Sequence, residues 1–420
     1  MLPGRFFLPT TALLLSVMGC AYTRPFTDSS GHVIPGSIAT METVNIGGIP
    51  QSICFRGVDT RKPAVVLLHG GPGVSESALF RHYNAALETH FLMADWEQRG
   101  AGRSYHTDIP RESMTMEQFQ LDLDEVVALV RQRFGKDRVI LLAHSWGTVL
   151  GTIYAYKHPD KIAAYVGIAQ IANFAEGERL SYEWALSQAI QRNNRRATAE
   201  LRAMSPRPRS VEDELIKGKW VEAFGGMFHG GLSTWRLIRA ALSADEANLV
   251  DLMLFGRGNR FSLEHLRPEY SRIDLTRYRA FEVPIVFLLG RYDWHVPSVL
   301  AERYFAKIAA PCKRLIWFEQ SAHHPPFEEP ERFARVFRDE VLPLVAGLSK
   351  SRVGSIHLPD RRCVRPSGAA AVHWSGFLPV SRAIPGEPHT PSRMTDRGEI
   401  PAARRNRDPS AILAVILGLT

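Results

Sequence analysis

The stretch "LLAHSWGTVLG", residues 141–151, places a serine where an apolar run ends and a helical pattern begins. Residues 138–143 are short, mostly apolar and partly β-branched, which is typical of a strand buried on both faces of a parallel sheet. Between residues 148 and 156 the apolar side chains fit a helix that packs back onto that sheet. Ser145 is therefore predicted at a strand-to-helix turn, above the carboxyl edge of the sheet.

The residues around this serine follow the pattern small-x-Ser-x-Gly. Gly147 occupies the second glycine position of a nucleophile elbow, and Ala143 stands where the first glycine would be. That first position needs a small side chain so that strand and helix can approach, and a single methyl group is a mild departure. Two interpretations remain open from the pattern alone: Ser145 attacks a carbonyl, or it caps a helix without any chemistry.

Strand-like and helix-like segments alternate along most of the chain. Helical patterns cover residues 75–87, 116–134 and 331–345, and the segment 171–278 is mainly helical. Strands are predicted at residues 41–46, 51–56, 63–69, 91–96, 138–143, 163–169, 284–290 and 314–319. This alternation predicts an α/β fold, with a parallel sheet covered by helices on both faces and one helical insertion.

Composition and charge exclude one class of partner. The chain has 420 residues, of which 45% are hydrophobic and 22% charged, an ordinary globular composition. The formal net charge is +8, but residues 351–420 hold ten Lys/Arg against five Asp/Glu, so +5 belongs to that segment. The remainder is close to neutral and contains no DNA- or RNA-reading motif, so we expect no nucleic-acid partner.

The first twenty residues have the pattern of a targeting segment. Arg5 precedes an apolar stretch, residues 6–18, that is too short for a stable transmembrane helix and suits a signal peptide. Its end, "VMGC", resembles a bacterial lipoprotein processing box in which Cys20 is the lipidated residue. We therefore expect an exported protein, periplasmic or attached to a membrane through Cys20; the alternative is a cytoplasmic protein.

The segment 351–420 is rich in proline, glycine and arginine, which predicts a disordered basic tail.

Three cysteines follow the leader in the sequence. Cys54, Cys312 and Cys363 lie too far apart in sequence to indicate a disulfide framework or a zinc site. The predicted organisation is a leader at 1–20, a linker at 21–40, an α/β core at 41–170 and 281–348 with a helical cap at 171–280 between its two parts, and the tail at 349–420.

Two further polar residues follow predicted strands. Asp293 comes after the strand at 284–290, and His323 comes after the strand at 314–319. The carboxyl ends of parallel strands meet at one edge of the sheet, so both side chains are expected beside Ser145. The adjacent His324 competes with His323 for the role of base, and Asp293 could instead cap a helix.

The stretch "LLHGGPGVSES", residues 67–77, places glycines directly after a buried strand. Glycines there let the backbone pass close to a reacting oxygen and point N–H groups at it. We assign the oxyanion donors to the backbone N–H groups of Gly71, with Gly70 as the alternative, and of Trp146. A plain Gly-Pro turn would give the same sequence.

Five motifs together resemble the α/β-hydrolase superfamily, and specifically its proline iminopeptidase-like serine peptidases: "HGGPG", "DWEQRGAGRS", "AHSWG", "GRYDWHVP" and "SAHHPPFEEPERF". The resemblance covers roughly residues 40–346 and implies a mostly parallel eight-stranded sheet with a helical cap inserted between the sixth and seventh strands. It implies a triad of Ser145, Asp293 and His323, where the spacing to "EEP" favours His323 over His324, and no metal or organic cofactor. Glu97 departs from the family, which commonly has aspartate there.

The resemblance also implies an activity, which is release of an N-terminal residue, often proline, from short peptides through an acyl-enzyme. Such an enzyme needs carboxylates in the cap to bind the free amine, and Glu176, Glu178 and Glu183 are candidates by position. Trp184 is a candidate for an apolar wall. The alternatives are a carboxylic ester or amide hydrolase of small hydrophobic acyl substrates, and a non-catalytic binding protein with the hydrolase fold.

Overall fold

A computed structural model of the chain describes residues 21–346. The predictions for the leader, for lipidation of Cys20 and for the tail at 349–420 lie outside the described residues. Within the described part, Cys54 is a free, buried thiol. Cys312 is disulfide-bonded, which the spacing of the cysteines in the sequence did not indicate.

One eight-stranded sheet forms the centre of the fold. Its strands are β1 (Ile38–Ile46), β2 (Ile49–Gly57), β3 (Ala64–Leu68), β4 (Leu92–Trp96), β5 (Val139–His144), β6 (Ile162–Ile168), β7 (Ile285–Gly290) and β8 (Lys313–Phe318). The strand order across the sheet is β1-β2-β4-β3-β5-β6-β7-β8. β1 pairs antiparallel with β2 and β2 with β4, whereas all other neighbours are parallel. The predicted α/β-hydrolase fold is confirmed.

The first strand begins earlier than the sequence pattern predicts. β1 starts at Ile38, inside the predicted linker at 21–40, because Ile38 pairs with Gly57 at the far end of the hairpin. Residues 38–40 gain strand geometry from a partner strand rather than from their own periodicity. Pairing between two strands cannot be predicted from the sequence of one strand alone.

Helices cover both faces of the sheet. They are α1 (Ser77–Asn84), α2 (Met116–Phe134), α3 (Gly147–Lys157), α4 (Phe174–Gln191), α5 (Arg195–Ala203), α6 (Val211–Ala223), α7 (Thr234–Ser243), α8 (Leu249–Tyr270), α9 (Ser298–Lys307), α10 (Pro325–Glu328), α11 (Pro330–Val336) and α12 (Leu342–Ala346). A π-helical turn, Phe337–Val341, joins the last two. None of the helices within residues 21–346 is long and apolar enough to cross a membrane.

The side chains of β3 point alternately to the two faces of the sheet, and both faces are buried in hydrophobic cores. Val66 and Leu68 belong to one hydrophobic core, together with residues of α2, α3 and α9. Val65 and Leu67 belong to a second core on the other face, together with residues of α1, α10 and α11. Successive side chains of a strand point to opposite faces, so a fully apolar strand supplies both cores at once.

Five helices, α4 to α8, lie between β6 and β7 and form a cap with a small core of its own, which includes Tyr182, Leu201 and Trp220. Each of these helices begins at a residue whose side chain accepts a hydrogen bond from a backbone N–H of the first turn. These N-cap residues are Asn173, Asn194, Ser210, Ser233 and Asn248. Side-chain capping satisfies N–H groups that a helix start leaves unpaired.

Candidate active site

The turn between β5 and α3 presents Ser145 at the carboxyl edge of the sheet. Ser145 has a φ of +51°, a left-handed conformation that is unfavourable for a side chain other than glycine. Its backbone N–H donates to the carbonyl of Ile168 in β6 at 3.0 Å. Two residues later, a Cβ on Gly147 would lie 2.0 Å from the carbonyl oxygen of Leu68, so α3 packs this tightly on β3 only because residue 147 is glycine.

Ser145 begins a buried chain of hydrogen bonds. Its Oγ lies 3.0 Å from Nε2 of His323, and Nδ1 of His323 lies 2.8 Å from Oδ2 of Asp293. Because Nδ1 faces a carboxylate, it carries a proton and donates it, and Nε2 is left to accept the hydroxyl proton of Ser145. The backbone N–H of Val296 donates to the other oxygen of Asp293 at 2.8 Å and fixes the carboxylate. The three residues are brought together as the sequence predicts.

Electrostatics favour a neutral base. Burial holds the pKa of His323 well below its ordinary value, and the nearby ring of His144 acts in the same direction. Burial raises the pKa of the Asp293 carboxyl, while the N–H of Val296 and the charge of His144 oppose that rise. A neutral imidazole with a free Nε2 lone pair can accept a proton at neutral pH.

His324, the competing histidine, has a different environment. Its ring stacks on Phe228 of the cap, with the ring centroids 4.8 Å apart. Its backbone N–H donates to the Glu328 carboxylate at 3.0 Å. The hydrogen bonds to Ser145 and Asp293 are made by His323, so the geometry favours His323 as the base.

The loop after β3 decides between the two candidate oxyanion donors. The N–H of Gly70 donates to Oε2 of Glu76 at 3.3 Å. The N–H groups of Gly71 and Trp146 donate to no protein acceptor within residues 21–346. Gly71 and Trp146 therefore fit the role of oxyanion donors, and the alternative, Gly70, is engaged elsewhere.

A side chain from another loop connects the two donor segments. The indole Nε1 of Trp146 donates to Oε1 of Gln98 at 3.0 Å, and Nε2 of Gln98 donates to the carbonyl of His69 at 3.1 Å. The N–H of Gln98 donates to Nε2 of His69 at 3.0 Å, so His69 keeps its proton on Nδ1 and donates it to the carbonyl of Gly70. Gln98 therefore fixes the loop after β3 against the elbow.

The two departures from the family motifs are accommodated by their neighbours. Ala143 is fully buried, and its methyl group faces Gly151 of α3, where a Cβ would come within 3.1 Å of it. The carboxylate of Glu97 accepts hydrogen bonds from the hydroxyl of Ser75 at 2.7 Å and from the N–H of Arg103 at 2.6 Å. Neither substitution disturbs the Ser145 turn.

A buried ion pair beside Ser145 was not predicted from the sequence. Nδ1 of His144 lies 2.6 Å from Oε1 of Glu76, and Nε2 of His144 lies 2.9 Å from the carbonyl of His323. Both side chains are 2% exposed. The histidine directly before the nucleophile and the glutamate after "HGGPG" were the available signals, but nothing in the sequence indicates that they meet.

The same pair belongs to a cluster with metal-ligand chemistry. Ligand atoms of Glu76, His144 and His324 lie within 4.8 Å of one another. Two of these atoms are already joined by the 2.6 Å hydrogen bond between Glu76 and His144. We therefore interpret the cluster as an ion pair next to a stacked histidine rather than as a metal centre.

A small cavity of about 60 Å³ lies between the sheet edge and the cap. Its lining includes Ser145 and Gly71 from the core and Glu178 from α4, and much of the remaining wall is apolar: Ile171, Ala172, Phe174, Val296, Pro297 and Leu300. Oε1 of Glu178 accepts a hydrogen bond from Lys217. Oε2 of Glu178 is buried and has no hydrogen-bond partner within the described residues. Glu178 therefore lines the cavity that contains Ser145, and one of its carboxylate oxygens is unpaired within the described residues.

The other cap candidates do not line this cavity. Arg179 binds Glu176 and Glu183, each at 2.6 Å, along the solvent side of α4. Trp184 stacks on Trp294, with the ring centroids 5.5 Å apart. Of the four predicted substrate contacts, the structure therefore places only Glu178 in the lining of this cavity. A larger groove of about 310 Å³ lies around Met116 and Arg272 and contains none of the triad residues.

Comparisons with known proteins agree with this fold. A family model described as alpha/beta hydrolase fold matches residues 63–330. A Bacillus subtilis (strain 168) protein named "Probable aminopeptidase YbaC" is 32% identical over 301 residues, which are 71% of this chain and 95% of that protein. A proline iminopeptidase of Heyndrickxia coagulans is 26% identical over 282 residues, 66% of this chain and 89% of that protein.

Solved structures show the same fold. The crystal structure of VinJ matches with a TM-score of 0.54 and 20% identity, and covers 73% of this chain and 99% of its own. A proline iminopeptidase-related protein of Thermus thermophilus matches with a TM-score of 0.53 and 20% identity, and covers 74% of this chain and 99% of its own. At 20% identity these similarities show a shared fold and nothing more.

Proposed function

This chain belongs to the alpha/beta hydrolase fold family, and from that premise we propose that it is a serine hydrolase that acts as an aminopeptidase of the proline iminopeptidase type. The observation that carries the proposal is the hydrogen-bonded chain from Ser145 through His323 to Asp293, with distances of 3.0 and 2.8 Å. The names of the two curated relatives support the choice of peptidase. The proposed substrate is a short peptide or a small amide.

The proposed cycle uses only side chains and backbone groups of this chain. Nε2 of His323 takes the hydroxyl proton as Oγ of Ser145 attacks the substrate carbonyl, and Asp293 stabilises the imidazolium that forms. The N–H groups of Gly71 and Trp146 hold the tetrahedral oxyanion. His323 then passes its proton to the leaving amine, and a water molecule hydrolyses the acyl-enzyme by the same route.

Recognition of a free amino terminus is proposed to come from Glu178. Glu178 lines the cavity that also contains Ser145, and its Oε2 is buried and unpaired within the described residues. A buried carboxylate oxygen without a donor is costly, and a protonated amine of a bound substrate would supply the missing hydrogen bonds. The apolar wall beside it fits a small or cyclic side chain.

An ester or amide hydrolase for small hydrophobic acyl groups is the second candidate. Lys217 is almost fully buried and pairs with Glu178, so the cap carries no net negative charge at that position. The mainly apolar lining of the cavity would accept an uncharged acyl group equally well. This candidate shares the triad and differs only in the role of Glu178.

The test uses the full chain with three substrates: a proline aryl amide, its N-acetylated counterpart and a short-chain aryl ester. Glu178→Gln removes the charge in the cavity wall, and Glu176→Gln removes the same charge from the solvent side of the same helix. Ser145→Ala is the control for enzymatic turnover, and a fluorophosphonate probe reports whether Ser145 reacts.

The aminopeptidase proposal expects turnover of the free-amine amide but not of its acetylated form. It expects Glu178→Gln to raise KM for the free-amine amide by about tenfold or more, the cost of roughly one charged hydrogen bond, while Glu176→Gln does not. Ester turnover without amide turnover would favour the second candidate. A wild-type chain that neither turns over nor reacts with the probe would support a binding protein.

A further inference from the structure

We propose that Glu76 and His144 form a positioning pair that holds the catalytic base by its main chain and directs the N–H groups of the neighbouring glycine loop. The proposal rests on the function proposed above, in which His323 is the base. Neither residue touches the reacting atoms, so both act through other groups.

The contacts of the pair connect three separate segments of the chain. Glu76 lies directly before α1, His144 is the last residue of β5, and His323 lies in the loop after β8. His144 bridges Oε1 of Glu76 at 2.6 Å and the carbonyl oxygen of His323 at 2.9 Å. The second oxygen of Glu76 accepts the N–H of Gly70 at 3.3 Å. One ion pair therefore holds the nucleophile turn, the base loop and the glycine loop together.

The hydrogen bonds favour a charged His144. Both of its ring nitrogens face oxygen atoms, Oε1 of Glu76 and the carbonyl oxygen of His323. An imidazolium donates to both oxygens at once, which a neutral ring with a single N–H cannot do. Burial alone would lower the pKa of His144, but the charge and hydrogen bond of Glu76 and the carbonyl of His323 outweigh it and raise that pKa.

This fixed positive charge lies close to the base. The ring centroids of His144 and His323 are 5.0 Å apart. A second positive charge at that distance is disfavoured, so His144 helps to keep His323 neutral until a proton is transferred to it. The pair would thus set both the place and the resting charge of the base.

The other titratable groups around His323 do not replace this charge. His295 and His324 pack against its ring, and burial lowers the pKa of both well below the ordinary value, so they are neutral. Asp293 faces Nδ1 and stabilises the charged base. Beyond these, Glu328 accepts the N–H of His324, and Lys217 acts on His295. Glu76 raises the pKa of His323 and so opposes the stronger effect of His144. Burial lowers the pKa of His69, which is neutral.

The first measurement is nuclear magnetic resonance of the full chain labelled with ¹⁵N-histidine. We expect the His144 ring to be doubly protonated at pH 6.5 and to lose a proton at a higher pH than a histidine of the unfolded chain, since its pKa is raised. In Glu76→Gln the ring loses its charge but can still donate from Nε2 to the His323 carbonyl. Glu76→Gln removes the charge of Glu76, which raises the pKa of His323, and the charge of His144, which lowers it more strongly. The His323 titration should therefore move up, by no more than about 1 pH unit.

Enzyme kinetics provide a second measurement of the same shift. The acid limb of the kcat/KM profile should move upwards with the His323 titration in Glu76→Gln. Glu112→Gln is the matched control, because it removes one negative charge from an exposed position and should move neither. A purely structural role would lower the unfolding temperature without moving the titration.

Two substitutions of His144 separate its two hydrogen bonds. The Asn side chain in His144→Asn keeps a donor near the position of Nδ1 and loses the bond to the His323 carbonyl. The Gln side chain in His144→Gln reaches the position of Nε2 and can retain that bond. We expect kcat to fall about tenfold further in His144→Asn than in His144→Gln, with KM nearly equal, since a misplaced base slows the chemical step.

A His144 ring that is neutral in the wild-type chain at pH 6.5 would overturn the proposal, and this readout needs no variant to fold. An unmoved His323 titration in a folded Glu76→Gln would also overturn it. Failure of the proposed hydrolase function would appear differently, as a Ser145 that does not react with fluorophosphonate. The charge of His144 is measured without turnover, so the two failures are distinguishable.

Discussion

The carbonyl oxygen of Gly226, in the cap, accepts a hydrogen bond of 3.1 Å from the N–H of His295, two residues beyond Asp293. The same oxygen accepts the N–H of Trp294 at 2.9 Å, and the next carbonyl, that of Met227, accepts the N–H of His323 at 3.1 Å. The loop between α6 and α7 therefore binds the acid loop and the base loop through its main chain. The cap helps to hold the catalytic geometry as well as forming a wall of the cavity.

A substitution at Gly226 should therefore impair the chemical step. A Cβ there would lie 2.6 Å from the ring of Trp184 and 2.9 Å from Cβ of Trp294, so Gly226→Ala must shift the indole stack or the carbonyl. We expect kcat to fall about 10- to 100-fold, because small displacements of catalytic groups are costly. Steady-state kinetics on the amide and the ester, with thermal unfolding as the folding control, measure this. An unchanged kcat in a variant with altered tryptophan fluorescence would show that the cap does not position the triad.

Substitution of His323 should lower kcat far more than substitution of its neighbour His324. His323→Gln removes the group bonded to both Ser145 and Asp293, so we expect a loss of kcat of about a thousandfold or more. His324→Gln changes a ring that stacks on Phe228, and we expect less than a tenfold loss. Both variants are assayed together with fluorophosphonate labelling of Ser145. Equal losses in the two variants would refute the assignment of the base.

Two glycines in helices offer a matched pair for stability. Gly147→Ala would place a Cβ 2.0 Å from the backbone oxygen of Leu68, so strand and helix must separate, at a cost of about 3 kcal/mol. Gly218 lies in α6 with no atom within 4 Å of an added Cβ, so Gly218→Ala should stabilise by up to about 1 kcal/mol. Urea unfolding of both variants gives the two free energies. A mild effect at Gly147 would mean that the elbow is less tightly packed than the distance indicates.

The carboxyl of Glu328 should make stability depend on pH. Burial raises its pKa from 4.5 to about 7, although the N–H groups of His229, His324 and Ala322 donate to it and oppose the rise. Between those values the folded chain keeps a proton that the unfolded chain releases. The free energy of unfolding should therefore fall as pH rises from about 4.5 to 7, by up to about 3 kcal/mol.

Glu328→Gln cannot titrate and isolates this contribution. The difference in unfolding free energy between wild type and Glu328→Gln should shift in favour of the variant from pH 5 to pH 7 and stay constant above pH 8. Urea unfolding at each pH measures the difference, in which the other titrating groups cancel. A difference that does not change with pH would show that Glu328 is ionised throughout.

Much of the framework follows from local sequence. Apolar β-branched runs predict the buried strands, and their alternation with helices predicts a parallel sheet whose loops meet at one edge. Ser145, Asp293 and His323 follow strands that end at this edge. They therefore meet there whatever the packing of the helices between them. The cap follows from the loss of strand signals after residue 171.

The choice among neighbouring polar residues does not follow from local sequence. Glu176, Arg179 and Glu183 share one face of α4, and Glu178 lies on nearly the opposite face. Which face of the helix meets the cavity depends on how the cap packs on the core. Position in the sequence therefore could not show which of the glutamates proposed to bind the substrate amine lies at the cavity. The same reason explains the choice between His323 and His324, which are adjacent but point to different partners.

The sequence by itself determined an α/β fold and the turn that presents Ser145, because both depend on periodicity and on small residues at fixed spacing. Its motifs added the resemblance to the α/β-hydrolases. Only the tertiary structure decided that His144 pairs with Glu76 across 68 positions of the chain, that Gly70 is engaged while Gly71 stays available, and that Glu178 alone of the cap candidates lines the cavity. These contacts join segments that are distant in sequence, and their geometry is set by side-chain packing rather than by local pattern.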